Sequence, residues 1–434
     1  MTEVYTMKHC SYINESRGLD KGKVYLWVPL ILLLFPTLPA TIGFGNQLVF
    51  IIQCCILLFF QVRGVFNVKF SGCSLFYFVY FLLATLFDII IDSISGDTAP
   101  NDFLEPMRVF GILLVYQFYR YSNLKTEFVE FWAIRLVNVF FILIGIYCIA
   151  EFLLPDVVRP ISYILWKRPD VPILKNKAIG SFFQTYNYAY ALLIPFIYGL
   201  LRFINKWTLG NLSFFVLMLL NLLLTQSRSM YLCAGMGVVL CFLLPCNYDT
   251  SIKKLRSITL IIILVLSGVA LFLVFESFLR ENLGYAFSGL EAISDGQSTS
   301  VASRQSQINW ALDNNYIGII GFGIGKSVIL LESVYALYYY RYGVFGLLLL
   351  FSLVLNLSYC AFRIARHMIG NKAFFYYTLS VFYILSPLAL SSSCHHDMPK
   401  TVFFFYGFAG LVFKRYKEVT NVNEKIVSAC KPCR

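Results

Sequence analysis

Charge is what this sequence has least of. Charged side chains make up 13% of its 434 residues, where soluble proteins carry about 25%. Such a chain cannot coat a water-facing surface, which excludes the three soluble domains that the length alone would suggest at roughly 150 residues each. Glycine and proline, at 27 and 14, are too few for collagen-like or low-complexity structure. Nothing repeats at the roughly 20 to 50 residue period of a solenoid. Most of the twelve Cys, among them Cys54, Cys55, Cys148, Cys233 and Cys241, sit inside apolar runs as small packing residues, so no disulfide framework is implied. The terminal pair Cys430 and Cys433 has no second pair to complete a four-ligand zinc site, so no metal or cofactor is expected. Basic residues exceed acidic ones by +12. They stand in short clusters between apolar runs, with no long basic stripe interleaved with aromatics, so nucleic acid is not an expected partner.

Apolar residues, by contrast, reach 59%, which points to an all-α polytopic integral membrane protein. Crossing about 30 Å of hydrocarbon takes roughly 17 to 25 apolar helical residues, because lipid offers the backbone no hydrogen-bond partner. Twelve candidate spans follow: 25–43, 46–62, 73–93, 106–119, 132–153, 184–201, 208–225, 229–245, 257–275, 335–358, 374–392 and 401–414. The fourth and twelfth are short. These runs are continuously apolar, unlike the alternating strands of an outer-membrane barrel. The first has no A-x-A-like site after it and reads as an uncleaved span. About 23 of the 35 Lys and Arg, from Lys8 and Arg17 through Lys253, Lys254, Arg363 and Arg366 to Lys414 and Arg415, fall on the side of the termini. Both termini, with the tail 415–434, are therefore expected in the cytoplasm, and residues 1–434 form one membrane domain. Two opposite-side loops, 154–183 and 276–334, are too long to be mere connectors.

The residues that could carry chemistry gather in those loops. Arg228 lies in the polar break Thr225-Gln226-Ser227-Arg228 between two spans. An Arg at that depth either pairs with an anion or carboxylate, or snorkels to head groups. Arg304 to Leu312, including Trp310, has helical spacing and runs into Gly318-Ile319-Ile320-Gly321-Phe322-Gly323-Ile324-Gly325-Lys326-Ser327. That stretch is not a phosphate-binding P-loop, since Ile320 stands where its first Gly is required. A Gly-rich turn can present backbone N–H groups to an anion, or simply pack closely at the membrane edge.

The order of these parts resembles the O-antigen polymerase and O-antigen ligase family. The matching elements are Lys177 to Phe182 before a span, Thr225 to Arg228, the large loop with Arg304 and Trp310, and Glu332-Ser333-Val334 leading to Gly343-Val344-Phe345-Gly346. The resemblance implies a metal-independent inverting glycosyl transfer at the outer face of a bacterial inner membrane. The donor is a glycan on undecaprenyl pyrophosphate, and a polymerase takes as acceptor another lipid-linked repeat unit. Bilayer lipid, a chain-length regulator and a flippase of the same pathway are the implied partners. Arg228 and Arg304 are suited to stabilise the departing pyrophosphate through forked hydrogen bonds. Ligases place a His where this chain has Glu332, which favours the polymerase and makes Glu332 the candidate base. Its competing role is to pair with Arg341 or Lys326. Arg168, Lys177, Trp310, His395 and His396 are the candidate substrate-binding residues, His395-His396-Asp397 being also a rival base or an ordinary polar turn. The alternatives are a ligase, which transfers the glycan to lipid A core, and a lipid-linked oligosaccharide flippase. A flippase should concentrate polar residues inside its spans, and here the spans look nearly charge-free.

Overall fold

The computed structural model describes residues 22–36, 45–69, 72–166, 177–182, 184–243, 259, 299–324 and 331–429. Regular structure among them is helical. No strand occurs among the described residues, and the one bridge joins Phe66 to Ser122. We number the helices α1 (Val24–Leu34), α2 (Gly45–Val62), α3 (Gly72–Ser95), α4 (Glu105–Arg120), α5 (Thr126–Leu153), α6 (Pro155–Trp166), α7 (Thr185–Asn205), α8 (Leu209–Thr225), α9 (Arg228–Leu243), α10 (Thr299–Asn314), α11 (Val334–His367), α12 (Asn371–Leu390) and α13 (Phe408–Ala429). Five of them, α3, α5, α7, α11 and α12, are long and apolar enough to cross a membrane.

Helices α7 and α12 form the centre of the bundle. Of their apolar windows 94% and 83% are buried, against 39% to 44% for α3, α5 and α11. The outward faces of the latter three carry Leu83 and Ile90 on α3, Leu143 and Ile146 on α5, and Leu348 and Leu355 on α11, all exposed. A water-soluble bundle would bury such side chains, whereas hydrocarbon solvates them readily. Helix ends follow local chemistry. The Thr208 hydroxyl accepts the Asn211 N–H at the start of α8, and Gln226, in the left-handed region at φ 52°, ends it.

Several sequence expectations change in detail. The loop placed at 154–183 opens with helix α6, and helix α13 runs on to Ala429, through most of the stretch placed as a tail. The ninth candidate span, 257–275, lies outside the described residues apart from Thr259. Helix α11 is interrupted at Gly343, whose φ of 63° no side-chain-bearing residue adopts cheaply. The spans are also less empty of charge than expected: Asp88 and Asp92 on α3 and Arg341 on α11 are buried within them, and Glu105 and Glu130 are buried just outside.

At one end of the bundle, Arg415 of α13 binds Glu127 at 2.8 Å and Glu130 at 3.0 Å on α5. Glu130 also accepts the Tyr376 hydroxyl at 2.6 Å and pairs with Lys372 at 3.4 Å. This fastens α13 to α5 and α12. The other end, where α7 and α11 begin and α12 hands over to the last helix, holds most of the residues singled out in the sequence.

Candidate functional site

The turn 391–401 lies at the centre of that second end, and it is buried. His395 and His396 are 0% exposed and Asp397 2%. His395 hydrogen-bonds through Nδ1 to Asn187 Oδ1 at 2.9 Å and through Nε2 to the Ser392 hydroxyl at 3.0 Å, with its ring stacked on Tyr190. His396 Nε2 meets the Tyr338 hydroxyl at 2.7 Å. Asp397 binds Arg108 at 2.6 Å. Gln53 donates to the Pro399 carbonyl at 2.6 Å, and Lys400 Nζ donates to the carbonyls of Phe35, at 2.8 Å, and Ser181. One short turn thus holds α2, α4, α7, α11 and the 177–182 segment together. Burial above all pushes His395 down to about 3, with His396 and Arg304 adding to it. Burial likewise pushes His396 down to about 4 and Lys400 down to about 7. Both imidazoles are neutral at physiological pH, and their polar contacts are to the protein.

Over this turn the structure brings together Arg304, Glu332 and Tyr186. Tyr186 packs on His395 with ring centroids 5.2 Å apart, bonds to Ser393 and stands within electrostatic range of both Glu332 and Arg304. Arg304 is half-buried, and its Nε has no hydrogen-bond partner among the described residues. Glu332 is exposed, with its backbone held in place: Gln307 Oε1 of α10 accepts the Glu332 N–H at 2.9 Å and the Ser333 N–H at 3.4 Å. This one amide ties the helix of Arg304 to the start of α11. Nothing in the sequence marked Gln307 beyond its place one helical turn from Arg304.

A second pair forms beside the turn. The Ala178 N–H donates to the Leu224 carbonyl at 2.8 Å, docking the 177–182 segment on the end of α8, and Arg228 opens α9 immediately beyond. Lys177, 6% exposed, is pushed down to about 8, first by burial and then by repulsion from Arg228. Two cations held this close, one of them desolvated, make a local field that favours an anion. Lys400 joins this pair to the buried turn through the Ser181 carbonyl.

The remaining expectations sort themselves by position. Trp310 lies against Tyr340 with ring centroids 5.0 Å apart and docks α10 on α11. Arg168 lies outside the described residues, as does Lys326. Arg341 pairs with Glu105 at 3.4 Å and donates to the Ile324 carbonyl at 2.9 Å, so it is not the partner of Glu332. The Gly-rich stretch packs backbone to backbone against the break in α11. Phe322 N donates to Tyr340 O at 2.8 Å, Val344 N to Gly318 O at 3.0 Å and Ile324 N to Asp92 at 2.8 Å. At the start of the stretch, Asn315 Oδ1 accepts the N–H groups of Ile317 and Gly318 at 3.2 and 2.9 Å. The Gly318, Ile319, Phe322 and Ile324 N–H groups are thus used internally, as close packing requires, and Gly325 to Ser327 lie outside the described residues. Among the described residues no group of three or more His, Cys, Asp or Glu could hold a metal.

Sequence reasoning missed the charges behind the turn. Arg108 binds Asp397, Glu105 at 3.0 Å and the Tyr342 hydroxyl at 3.0 Å. Asp88 is 1% exposed, and neither of its carboxylate oxygens makes a well-formed hydrogen bond among the described residues. Asp88 and Asp92 are one helical turn apart on α3, a spacing that puts both on one face and could have flagged them. No family model matches the chain, and no curated protein matches it at a significant level of similarity.

Proposed function

We propose that the chain is a bacterial inner-membrane glycosyltransferase of the O-antigen polymerase type, with twelve spans, both termini in the cytoplasm and the 391–401 end facing outward. The observation that carries this reading is the gathering of Arg304, Glu332 and Tyr186 over one buried turn, with Lys177 and Arg228 paired beside it. A glycan carried on undecaprenyl pyrophosphate presents an anion and a leaving group at once. In the proposed reaction a hydroxyl of the acceptor repeat unit attacks the anomeric carbon of the donor glycan. The bond from that carbon to pyrophosphate breaks with inversion. The pyrophosphate leaves with the electron pair, and Glu332 takes the hydroxyl proton. Arg304, whose Nε has no hydrogen-bond partner among the described residues, and the Lys177 and Arg228 pair offset the charge growing on the pyrophosphate. Glu332 is exposed and well placed to meet an incoming hydroxyl, while the buried, neutral imidazoles of His395 and His396 support the site from behind.

Purified protein given only undecaprenyl-pyrophosphate-linked repeat units, without lipid A and without added metal, is expected to lengthen them. Failure there, with transfer once lipid A core is supplied, would make it a ligase. A flippase is the second reading, favoured by the buried charges Asp88, Asp92, Glu105 and Arg341 within the helices. Deleting the gene separates these outcomes on an envelope gel. Loss of the polymerase leaves one repeat on lipid A core. Loss of a ligase leaves polymer on the lipid carrier, and loss of a flippase leaves neither product.

A further inference from the structure

An alternating line of charges runs behind the candidate site. Asp397 in the buried turn binds Arg108 Nη1 of α4 at 2.6 Å, and Arg108 Nη2 lies 3.0 Å from Glu105 Oε2. The same oxygen lies 3.4 Å from Arg341 Nη1 of α11, and Arg341 Nε donates to the Ile324 carbonyl at 2.9 Å. The line therefore starts in the 391–401 turn, crosses α4 and α11, and ends on the stretch that follows α10. Those segments carry the site: the turn holds His395, α10 holds Arg304, and Glu332 immediately precedes α11.

Two features suggest that this line does more than fill space. Its four side chains sum to zero charge, and each is at most 13% exposed, so a move out of register would separate buried opposite charges. Apolar contacts would tolerate a slip of the turn along α11, whereas a buried ion pair does not. The line also has room for one more member. Beside it lies a cavity of about 20 Å³, lined by Arg108, Asp397, Tyr338, Tyr342, Tyr77 and Tyr406 among others. Arg108 Nε and Asp397 Oδ1 both lack a hydrogen-bond partner among the described residues. That space suits one water molecule bridging these two atoms.

We propose that Asp397, Arg108, Glu105 and Arg341, with one water in the cavity, form a positioning frame that sets where Glu332 and Arg304 stand relative to the buried turn. The frame rests on the glycosyl-transfer reading above. None of its four side chains touches substrate. They act through Glu332 and Arg304, so disturbing them changes the rate of the chemical step and leaves carrier binding alone.

The test uses full-length purified protein and undecaprenyl-pyrophosphate-linked repeat units isolated from cells that lack the gene. Arg108→Lys keeps the charge and loses the fork that serves Asp397, Glu105 and Tyr342 together. It is expected to lower kcat by about 10- to 100-fold, as small misplacements of reacting groups do, with KM within about twofold. Combined with the double variant Glu332→Gln, Arg304→Lys, it should add almost nothing to the loss from that double variant alone, because groups that are misplaced and groups that are absent are equivalent. A role confined to folding would instead multiply the two losses. If Arg108→Lys fails to accumulate, the neutral pair Arg108→Gln with Asp397→Asn takes its place, with the same expectations. Unchanged kcat, or losses that multiply, overturns the frame while leaving the site intact. Wild-type turnover in Glu332→Gln and Arg304→Lys overturns the glycosyl-transfer site, and the frame with it.

Discussion

Acid should loosen the 391–401 turn before it affects the rest of the bundle. An unfolded imidazole takes up its proton near pH 6.5. Burial holds His395 down to about 3 and His396 down to about 4 in the folded protein. Between these limits the unfolded chain binds more protons than the folded one, so stability falls as pH falls from about 6.5 toward 4. At pH 5, about 1.5 below the unfolded value and still above both folded ones, each ring has lost about 2 kcal/mol at 1.36 kcal/mol per pH unit. The two together come to about 4 kcal/mol, a large share of a typical margin of about 5–15 kcal/mol. At about 2 °C per kcal/mol this lowers the melting temperature by roughly 8 °C. The assay is thermal unfolding in detergent micelles at pH 7, 6 and 5. His396→Gln removes one ionisation while keeping a group able to bond the Tyr338 hydroxyl that His396 Nε2 now meets, and should roughly halve the acid-induced drop. Equal melting temperatures at pH 7 and 5, or the same drop in His396→Gln as in the wild type, would refute the reasoning.

Other expectations can be checked with less effort. Arg304→Lys and Arg228→Lys keep charge but lose the bidentate fork, so each should cut chain growth at normal abundance; full-length glycan from both Arg→Ala variants would sink the assignment. A Cβ on Gly321 would come within 1.5 Å of the Arg341 carbonyl oxygen, so Gly321→Ala should cost about 1–3 kcal/mol or more and lower the amount of folded protein in membranes; wild-type abundance would contradict the backbone packing. Burial of the Asp88 carboxyl outweighs the attraction of the nearby Arg341, so Asp88→Asn should melt at or above the wild type's temperature, and a clear drop would refute that balance. Tyr316 is 78% exposed and Ile369 93%. As single Cys probes on a Cys-free background, Tyr316→Cys should react with an impermeant thiol reagent in intact spheroplasts and Ile369→Cys only after permeabilisation. The reverse pattern would invert the proposed orientation.

What could be read from the sequence followed the length scale of each signal. A span is a run of about 20 apolar residues, and helices α3, α5, α7, α11 and α12 fall where continuous apolar runs put them. The helical spacing from Arg304 to Leu312 likewise became α10. Pairing across the bundle has no such local signature. Arg108 and Asp397 are 289 positions apart, and Glu105 and Arg341 are 236. Counting Arg and Lys by side, which served the topology argument, leaves out Arg341, which the fold makes the far end of a buried line.

The same limit explains the glycine-rich stretch and the paired histidines. In sequence, Gly318, Gly321 and Gly323 offered either a backbone cradle for an anion or a close approach of two backbones. The deciding fact is the partner, the interrupted turn of α11 at Gly343, where a Cβ would meet the Ile319 carbonyl oxygen at 2.2 Å. A helix broken at one glycine leaves unpaired carbonyls, and a neighbouring glycine-rich segment can bring its N–H groups close enough to satisfy them. The Phe322 donation to Tyr340 O is that repair. Two weak local signals, the glycine-rich stretch and Gly343, are therefore halves of one device. His395 and His396 follow the same logic, because the sequence offers a base or an ordinary polar turn there and only the partners show how the turn is held. With Asn187, Tyr338 and Arg108 as partners on three different helices, the turn fastens those helices to one another.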